Sequence, residues 1–533
     1  MVCDIGPTRR NEGADTERGA VVDVRTDETG EGKRGPRPFT VDIDAWPLSL
    51  DPYHVVDFNQ ALVLDALVDP LTREDPLDPG VALPSALSSL DPLDDGRTWL
   101  LRPAPGQIWD DGTPVRPQEI AAGIHRAWGP TGLVLPDGYA THDSGPGGGA
   151  RSPVTARVVA GDGGAVTGRT VIEVRSSLAL PYLAGLLAFP GAAPVREEGH
   201  GWTASGPYRP VSADRRLGRI ELRRKPSRRT GPGTPATVVF QVHRERARAL
   251  AAFDEGLLDL SLNTGLPPAD FGRLAALPHA TVRTLSMACQ LWVRPGTDSV
   301  LDTAAGRRAF GDGFDREAVS ARLQRAVVPL HRYSGLWDTH RPAPGMPDIA
   351  TPPPRRLPPS GRRAELTLTY ADFPPNDRVV AALAADIEAR LGHRVHPRPL
   401  TYRAFAKAVT ALDYELLYCI NPAPLAHVAG YLTQFHSAAA TGRALGLRDA
   451  EVDAALDRAL RTPGAEASAR AWQQAEAAVL SRAPVVPLFQ VNSVTLHRPG
   501  SPPPAVAATG AIDLDRAAGP AAPHTHDRKV LSA

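Results

Sequence analysis

The stretch Glu365-Leu366-Thr367-Leu368-Thr369-Tyr370, followed by Val380, Leu383, Ala384, Ile387 and Leu391 and closed by Gly392, decides the fold class. Its first six residues alternate polar and apolar with period two, the pattern of a half-buried strand. The five apolar residues after it recur on one helical face. Gly392 stands where a helix end wants a residue free to turn left-handed. A second strand is predicted over Arg394–Leu400. Strand, helix and strand in this order make a β-α-β unit, the building block of a parallel sheet.

Working outward, the same logic recurs at Thr237–Val242 (strand), Glu245–Glu255 (helix) and Leu258–Leu262 (strand). Trp472, Ala475, Val479 and Leu480 form a helical stripe that runs into a strand at Val485–Phe489. An apolar helix signal spans Ala61 to Val68, after Leu50-Asp51-Pro52-Tyr53. Between Pro130 and Pro153 the glycines of Gly145–Gly149 mark a flexible loop. Residues 1–37 and 516–533 read as solvated tails, with one strand expected near Val506–Leu514. No repeat with a period of 20–50 residues is found. The economical reading is two α/β lobes with an inserted region.

Composition narrows the function. The chain has 533 residues, and 59 basic residues balance 59 acidic ones, which removes any global argument for a nucleic-acid or anionic-membrane partner. Gly and Pro are abundant at 48 and 54, but 42% hydrophobic residues exclude wholesale disorder. Cys3, Cys289 and Cys419 cannot build a disulfide framework or a thiolate metal site alone. No window approaches 18 consecutive apolar residues, and the first 37 residues lack the apolar core of a secretory signal. Taken as written, the chain reads as cytoplasmic.

Catalytic patterns are missing: no Walker A lysine, no H-E-x-x-H and no G-x-S-x-G. His524 and His526 lie in the terminal tail, and His427 and His436 lack a third ligand at sensible spacing. Cys419 reads as a small core residue. Arg215, Arg216, Arg219, Arg223, Arg224, Lys225, Arg228 and Arg229 place eight cations in fifteen positions. Ile220-Glu221-Leu222 within them suits an amphipathic hairpin, and no aromatic residue is interleaved. A solvated strand edge protected by charge is favoured over a phosphate-binding face. Asp94-Asp95-Gly96 and Trp109-Asp110-Asp111-Gly112-Thr113-Pro114 read as turns, the second with an apolar anchor.

Taken in order, these segments resemble the extracellular solute-binding proteins of family 5, the oligopeptide, dipeptide and nickel receptors of ABC importers. Leu50-Asp51-Pro52 resembles the family's early L-D-P. Pro84-Ser85-Ala86-Leu87, Asp94-Asp95-Gly96 and Leu101-Arg102-Pro103 are similar to its next conserved run. Trp109-Asp110-Asp111-Gly112-Thr113-Pro114-Val115 resembles its W-x-D-G-x-P-V, the most specific match. Gly206-Pro207-Tyr208, Gly256-Leu257-Leu258-Asp259, Arg307-Arg308-Ala309-Phe310 with Phe314-Asp315-Arg316-Glu317, and Ala483-Pro484-Val485-Val486-Pro487-Leu488 continue the series. The resemblance covers residues 38–515.

The resemblance implies an α/β, two-lobed periplasmic-binding-protein-like fold of type II, with a subdomain inserted in the first lobe. Lobe I would comprise 38–57, 200–278 and 485–515, the insertion 58–199, and lobe II 279–484. Peptide-binding members pair the peptide amine with an aspartate in an aromatic-x-x-Asp segment. The equivalent here is Tyr418-Cys419-Ile420-Asn421, which offers a hydrogen-bonding amide and no charge. The family's R-N-P-x-Y-W is Arg224-Lys225-Pro226-Ser227-Arg228-Arg229 here, without its aromatics. Members are exported, often as lipoproteins, so the resemblance implies an extracytoplasmic or cell-surface protein. Met1-Val2-Cys3 lacks the small residue that precedes a lipidated cysteine.

The expected function is a receptor of an ABC-type importer that closes its cleft on a peptide-like or small polar ligand. It would be no enzyme, with no catalytic residue, metal or cofactor. Its partners would be that ligand and, if exported, permease subunits; it would bind no nucleic acid and act as a monomer. Cleft residues are expected at Tyr53, His54, Gln290, Trp292, Tyr418, Asn421 and Gln490, aromatic or amide groups near strand ends. The second reading is an intracellular, repurposed binding fold acting as a biosynthetic enzyme or ligand sensor.

Overall fold

The β-α-β unit at Glu365–Leu400 is present in the computed structural model. That structure describes residues 37–47, 49–52, 58–76, 81–93, 96–127, 141–142, 150–151, 154–160, 164–180, 182–198, 201–226, 234–263, 268–294, 300–333, 365–422, 427–499 and 505–514. The chain begins with β1 (Phe39–Ile43), α1 (Phe58–Leu67), β2 (Leu87–Leu93), β3 (Thr98–Pro103), α2 (Pro117–Ala127), β4 (Val154–Ala160) and β5 (Val171–Ser176). Next come β6 (Tyr208–Asp214), β7 (Arg219–Arg224), β8 (Thr237–Val242), α3 (Arg246–Asp254), β9 (Leu260–Asn263) and β10 (Ala280–Val293). Then follow α4 (Ala304–Asp312), α5 (Arg316–Arg322), β11 (Val327–Pro329), β12 (Glu365–Ala371), α6 (Asn376–Leu391), β13 (Arg394–Leu400) and α7 (Tyr402–Ala411). The series closes with β14 (Leu416–Pro422), α8 (Ala450–Arg461), α9 (Ala465–Arg482) and β15 (Val485–His497). Short strand pairs, single helical turns and the helix Pro268–Ala275 lie between.

One mixed sheet runs β6-β7-β8-β1-β9-β15-β10-β14-β12-β13, with β11 beside β15. β1 is parallel to β8 and β9, and β12 is parallel to β13 and β14, so a β-α-β core stands on each side. The long strands β10 and β15 join the two sides. Residues Val494–Leu496 of β15 pair with β9 and with the start of β10, while Val485–Gln490 pair with the end of β10. Their shared ladder is broken between Thr284 and Ala288. There Ser286 N–H donates to the Ala508 carbonyl at 2.7 Å, and the Tyr431 hydroxyl donates to the Ser286 carbonyl at 2.7 Å. A separate antiparallel sheet, β2-β3-β5-β4, lies in the segment before β6.

Three cores follow from this layout. Val41, Leu64, Tyr208, Ile220 and Phe240 fill the first side, with α1 packed among them. Leu291, Phe310, Leu366, Ile387 and Phe489 fill one face of the second side. Its other face shares a core with the four-stranded sheet, through Trp99, Trp109, Trp292, Phe435 and Trp472.

The motifs singled out in sequence prove to be joints. Trp109 is fully buried and its indole donates to Glu119 Oε2 at 3.1 Å, while Arg196 lies 5.0 Å above its ring. Asp111 accepts from the backbone and hydroxyl of Thr113 at 2.8 and 2.6 Å and from Arg196 at 2.7 Å, which holds its carboxyl down at about 2. Gly206 lies where a Cβ would meet the Leu67 carbonyl at 2.2 Å, so only glycine lets β6 approach the end of α1. Arg307 donates to the carbonyls of Arg482 and Ala483 at 2.9 and 3.0 Å, capping the C-terminus of α9.

Some expectations needed correction. The strand at Val485–Phe489 extends to His497, because β9 continues its ladder. The strand near Val506–Leu514 is a pair, Ala505–Val506 and Ile512–Asp513. The Arg-rich strand β7 is not an edge: it lies between β6 and β8, and β6 is the edge. Lys225 is not solvated either; it is buried, donates to the Ala204 carbonyl at 2.6 Å and pairs with Asp110. Asp94, Asp95, Gly145–Gly149, Arg228, Arg229, His524 and His526 lie outside the described residues.

Asp65 on α1 accepts from the Ile512 amide at 3.3 Å, and burial pushes its carboxyl up to about 7. The native state therefore holds a proton that the unfolded chain has already released between about pH 4 and about pH 7, so stability falls as pH rises through that window. Asp65→Asn keeps the acceptor and removes the titration. It is expected to be more stable than the parent by about 1–2 kcal/mol near pH 8 and nearly equal near pH 4, measured by urea denaturation.

Candidate functional site

The face of the sheet turned towards the four-stranded subdomain carries most of the expected cleft residues that the structure describes. Strand alternation and register bring Asn421 on β14, Ala288 on β10 and Gln490 on β15 into one row. Cys419 and Gln290 form the next row, and Leu417 and Trp292 the one after. Ala288, between the two amides, is small and fully buried.

Asn421 is half-buried and its Nδ2 donates to Gln434 Oε1 at 3.1 Å. The Tyr431 hydroxyl, whose proton is shared with the Ser286 carbonyl, lies 3.1 Å from the Asn421 carbonyl at the end of β14. Trp292 donates its indole N–H to Gln290 Oε1 at 2.8 Å. Gln290 is fully buried and its Nε2 has no hydrogen-bond partner.

Above this face, Tyr333 stacks on Tyr431 with ring centres 5.8 Å apart and leans on Phe435 at 5.7 Å. From the insertion, Tyr182 stacks on His427 at 4.6 Å and meets Trp472 of α9 edge-on at 6.3 Å. Glu476, one turn along α9 from Trp472, is buried too. The hydroxyls of Tyr182, Tyr333, Tyr414 and Ser286 and the indole N–H of Trp472 join Gln290 Nε2 as buried polar atoms without a hydrogen-bond partner. Each such group costs roughly 1–3 kcal/mol when left dry.

Apart from Glu476, whose charge adds to burial in raising the Tyr333 phenol, the groups of this seam are neutral. Burial raises the phenols of Tyr182, Tyr333 and Tyr414 above their ordinary range, so they stay protonated. Burial lowers His427 to about 4, so its imidazole is neutral, with Nδ1 accepting from the Ala429 amide at 3.1 Å. The set can donate and accept hydrogen bonds and offer aromatic faces. Cys289 on the opposite face is pushed up to about 12, the reverse of an activated thiolate. Among the described residues no group of three or more His, Cys, Asp or Glu side chains could hold a metal ion.

The seven expected positions thus separate. Gln290, Trp292, Asn421 and Gln490 share the face described. Tyr418 points the other way, into the core of the second side, where its hydroxyl donates to Cys289 Sγ at 3.2 Å. It is a packing residue. Tyr53 and His54 lie outside the described residues. The sequence pattern does not single out Tyr182, Ser286, Tyr333 or Tyr414; of the six seam groups, Gln290 is an expected cleft residue and Trp472 enters as part of a helical stripe.

It also missed Asp42, fully buried in the apolar strand Phe39–Ile43. Asp42 accepts from Ser261 Oγ at 3.2 Å, contacts His243 Nδ1 at 2.9 Å and pairs with Arg246. The serine and the histidine both face the carboxylate rather than each other, so this cluster ties β1, β9 and α3 together and is no nucleophile relay.

The arrangement is a two-lobed α/β fold with an extra subdomain, its lobes joined by two long strands. It is the fold of the family 5 solute-binding proteins. OppA of Haemophilus influenzae, solved in complex with RPPGFSPFR, superposes with a TM-score of 0.69 at 16% identity, covering 90% of this chain and 98% of that one. OppA of Burkholderia pseudomallei gives 0.67 at 16% identity over 89% and 98%. NikA of Brucella suis, solved with Fe(III)-EDTA, gives 0.67 at 15% identity over 90% and 99%. No family model and no curated protein matches the sequence.

Proposed function

We propose that the chain is the solute-binding receptor of an ABC-type importer and that it closes on a peptide-like or small polar ligand at the seam between the second lobe and the inserted subdomain. The observation that carries this reading is the buried, unpartnered set Gln290, Tyr333, Trp472 and Tyr182 on facing elements. An interior that leaves so many polar groups dry is costly, whereas a polar ligand would satisfy them. Gln290, Trp292, Asn421 and Gln490 would line the sheet side of the site. The structural neighbours named above are binding proteins, which supports a receptor over an enzyme.

The domain division that fits this function assigns α1 to lobe I, since it packs with Val41 and Tyr208. The lobes would hinge where β10 and β15 lose their shared ladder, at Leu285–Met287 and Val491. Calorimetry and thermal shift against panels of peptides and uncharged polar metabolites test the proposal. A ligand that raises the melting temperature, and whose affinity drops about tenfold in Gln290→Leu, is the expected result. Turnover of a compound with no saturable binding of any unmodified one would count for the enzyme reading instead.

A further inference from the structure

The β6–β7 hairpin carries a charge pattern that the binding function does not use. On its outer face Arg209 and Arg223 are directly opposite each other across the ladder. Like charges so placed destabilise a strand pair unless an anion lies over them. The side chains of Arg209, Arg215, Arg216 and Arg223 have no hydrogen-bond or ion-pair partner among the described residues. Arg219 and Arg224 are exceptions: Arg219 pairs with Glu221 at 3.1 Å, and Arg224 donates to the Thr234 carbonyl at 2.9 Å. The hairpin's other carboxylate, Asp214, faces inward on the turn and accepts the amides of Arg216 and Leu217 at 2.9 and 3.0 Å. Gln241 donates to the carbonyls of Leu217 and Gly218 at 3.1 and 3.2 Å. The turn is therefore held rigid, with Gly218 at φ +61°. Leu217 at its apex, directly after Arg215 and Arg216, is 58% exposed.

We propose that this hairpin docks the protein on a membrane surface rich in anionic lipid. Leu217 enters the boundary between headgroups and acyl chains. Arg215 and Arg216, just before it, meet the phosphates, and the stripe through Arg219 to Arg209 and Arg223, about 20 Å long at the rise of a strand, lies along the headgroups. The partner's chemistry follows from the pairing of features. Unpaired guanidiniums match phosphate oxygens, and an exposed leucine on a rigid apex matches an apolar layer. A nucleic acid would satisfy only the first, and residues 215–224 hold no aromatic side chain on which a base could stack. The zero net charge of the whole chain does not oppose this, because the attraction acts within a Debye length of the surface.

Flotation of the full chain with phosphatidylcholine vesicles, with and without phosphatidylglycerol, tests the proposal. The expected result is binding only to the anionic vesicles, weakening as salt rises. Arg215→Gln with Arg216→Gln should cost about five-fold per arginine, so about 25-fold together. Arg215→Lys with Arg216→Lys should retain most of the binding, and Leu217→Ser should weaken it with the arginines intact. These side chains are exposed, so an unchanged melting temperature certifies the fold of each variant. Equal binding to neutral vesicles, no binding to anionic ones, indifference to the glutamine pair, or a DNA duplex bound as tightly as the vesicles would each overturn the proposal.

Discussion

Arg316→Met is expected to lower the unfolding free energy by about 2–5 kcal/mol. The residue is almost fully buried, yet its guanidinium makes no contact with a carboxylate at hydrogen-bond distance. Nε and Nη2 donate to the Pro487 carbonyl at 3.1 and 2.8 Å, and Nη1 donates to the Gly311 carbonyl at 2.9 Å. Burial pulls its pKa down to about 10, which still leaves it charged at neutral pH. One side chain thus ties the end of α4 and the start of α5 to β15, where the second lobe meets its long connecting strand. Methionine fills much of the volume but strands two buried carbonyls, each worth roughly 1–3 kcal/mol. Urea denaturation at neutral pH provides the measure. Arg316→Lys should fall between parent and Arg316→Met, because an ammonium can keep the charge but cannot reach both carbonyls in a planar fork. A loss below about 1 kcal/mol in Arg316→Met would mean that water reaches Pro487 O and Gly311 O, and the proposed joint would be wrong.

The same residue shows what a sequence can and cannot convey. Phe314-Asp315-Arg316-Glu317 was noticed because its order along the chain resembles a family pattern, but the reason for the arginine lies 171 residues away at Pro487. Local periodicity carries no information about such a pairing. Lys225 was misread for the same cause: its counter-ion, Asp110, belongs to the turn after β3. The β-α-β unit at Glu365–Leu400, by contrast, is written in periods of two and of three to four, and both survive in the fold.

The site was legible to the extent that strands carry it. Gln290 and Trp292 are two apart on one strand and must share a face. Tyr418 and Asn421 are three apart and cannot, so period two alone separates the core tyrosine from the amide at the seam. Tyr182 and Tyr333 come from short helical or irregular segments with no period to read. Their contribution appears only when the inserted subdomain is brought against α9.

Asn421→Asp is expected to raise affinity for ligands bearing a free amine by about tenfold or more, while leaving uncharged ligands unchanged or weaker. Aspartate is nearly isosteric with asparagine, and Gln434 can turn its amide to donate where its Oε1 now accepts from Asn421 at 3.1 Å. The surrounding tyrosines, indoles and neutral His427 supply no compensating charge, so the new carboxylate would be poorly solvated in the empty protein. Two consequences can be separated. Without ligand, the variant should lose stability as pH rises above the ordinary carboxylate range, because burial raises the native pKa and the unfolded chain releases its proton first. With an amine present, the ion pair offsets that cost and the affinity gain should vanish near pH 4, where the carboxylate is protonated. Calorimetry with paired peptides, one set with free and one with acetylated amino termini, reads both effects. If the two sets bind the variant equally well at neutral pH, Asn421 does not touch the ligand, and the sheet side of the seam must be held by Gln290 and Gln490 alone.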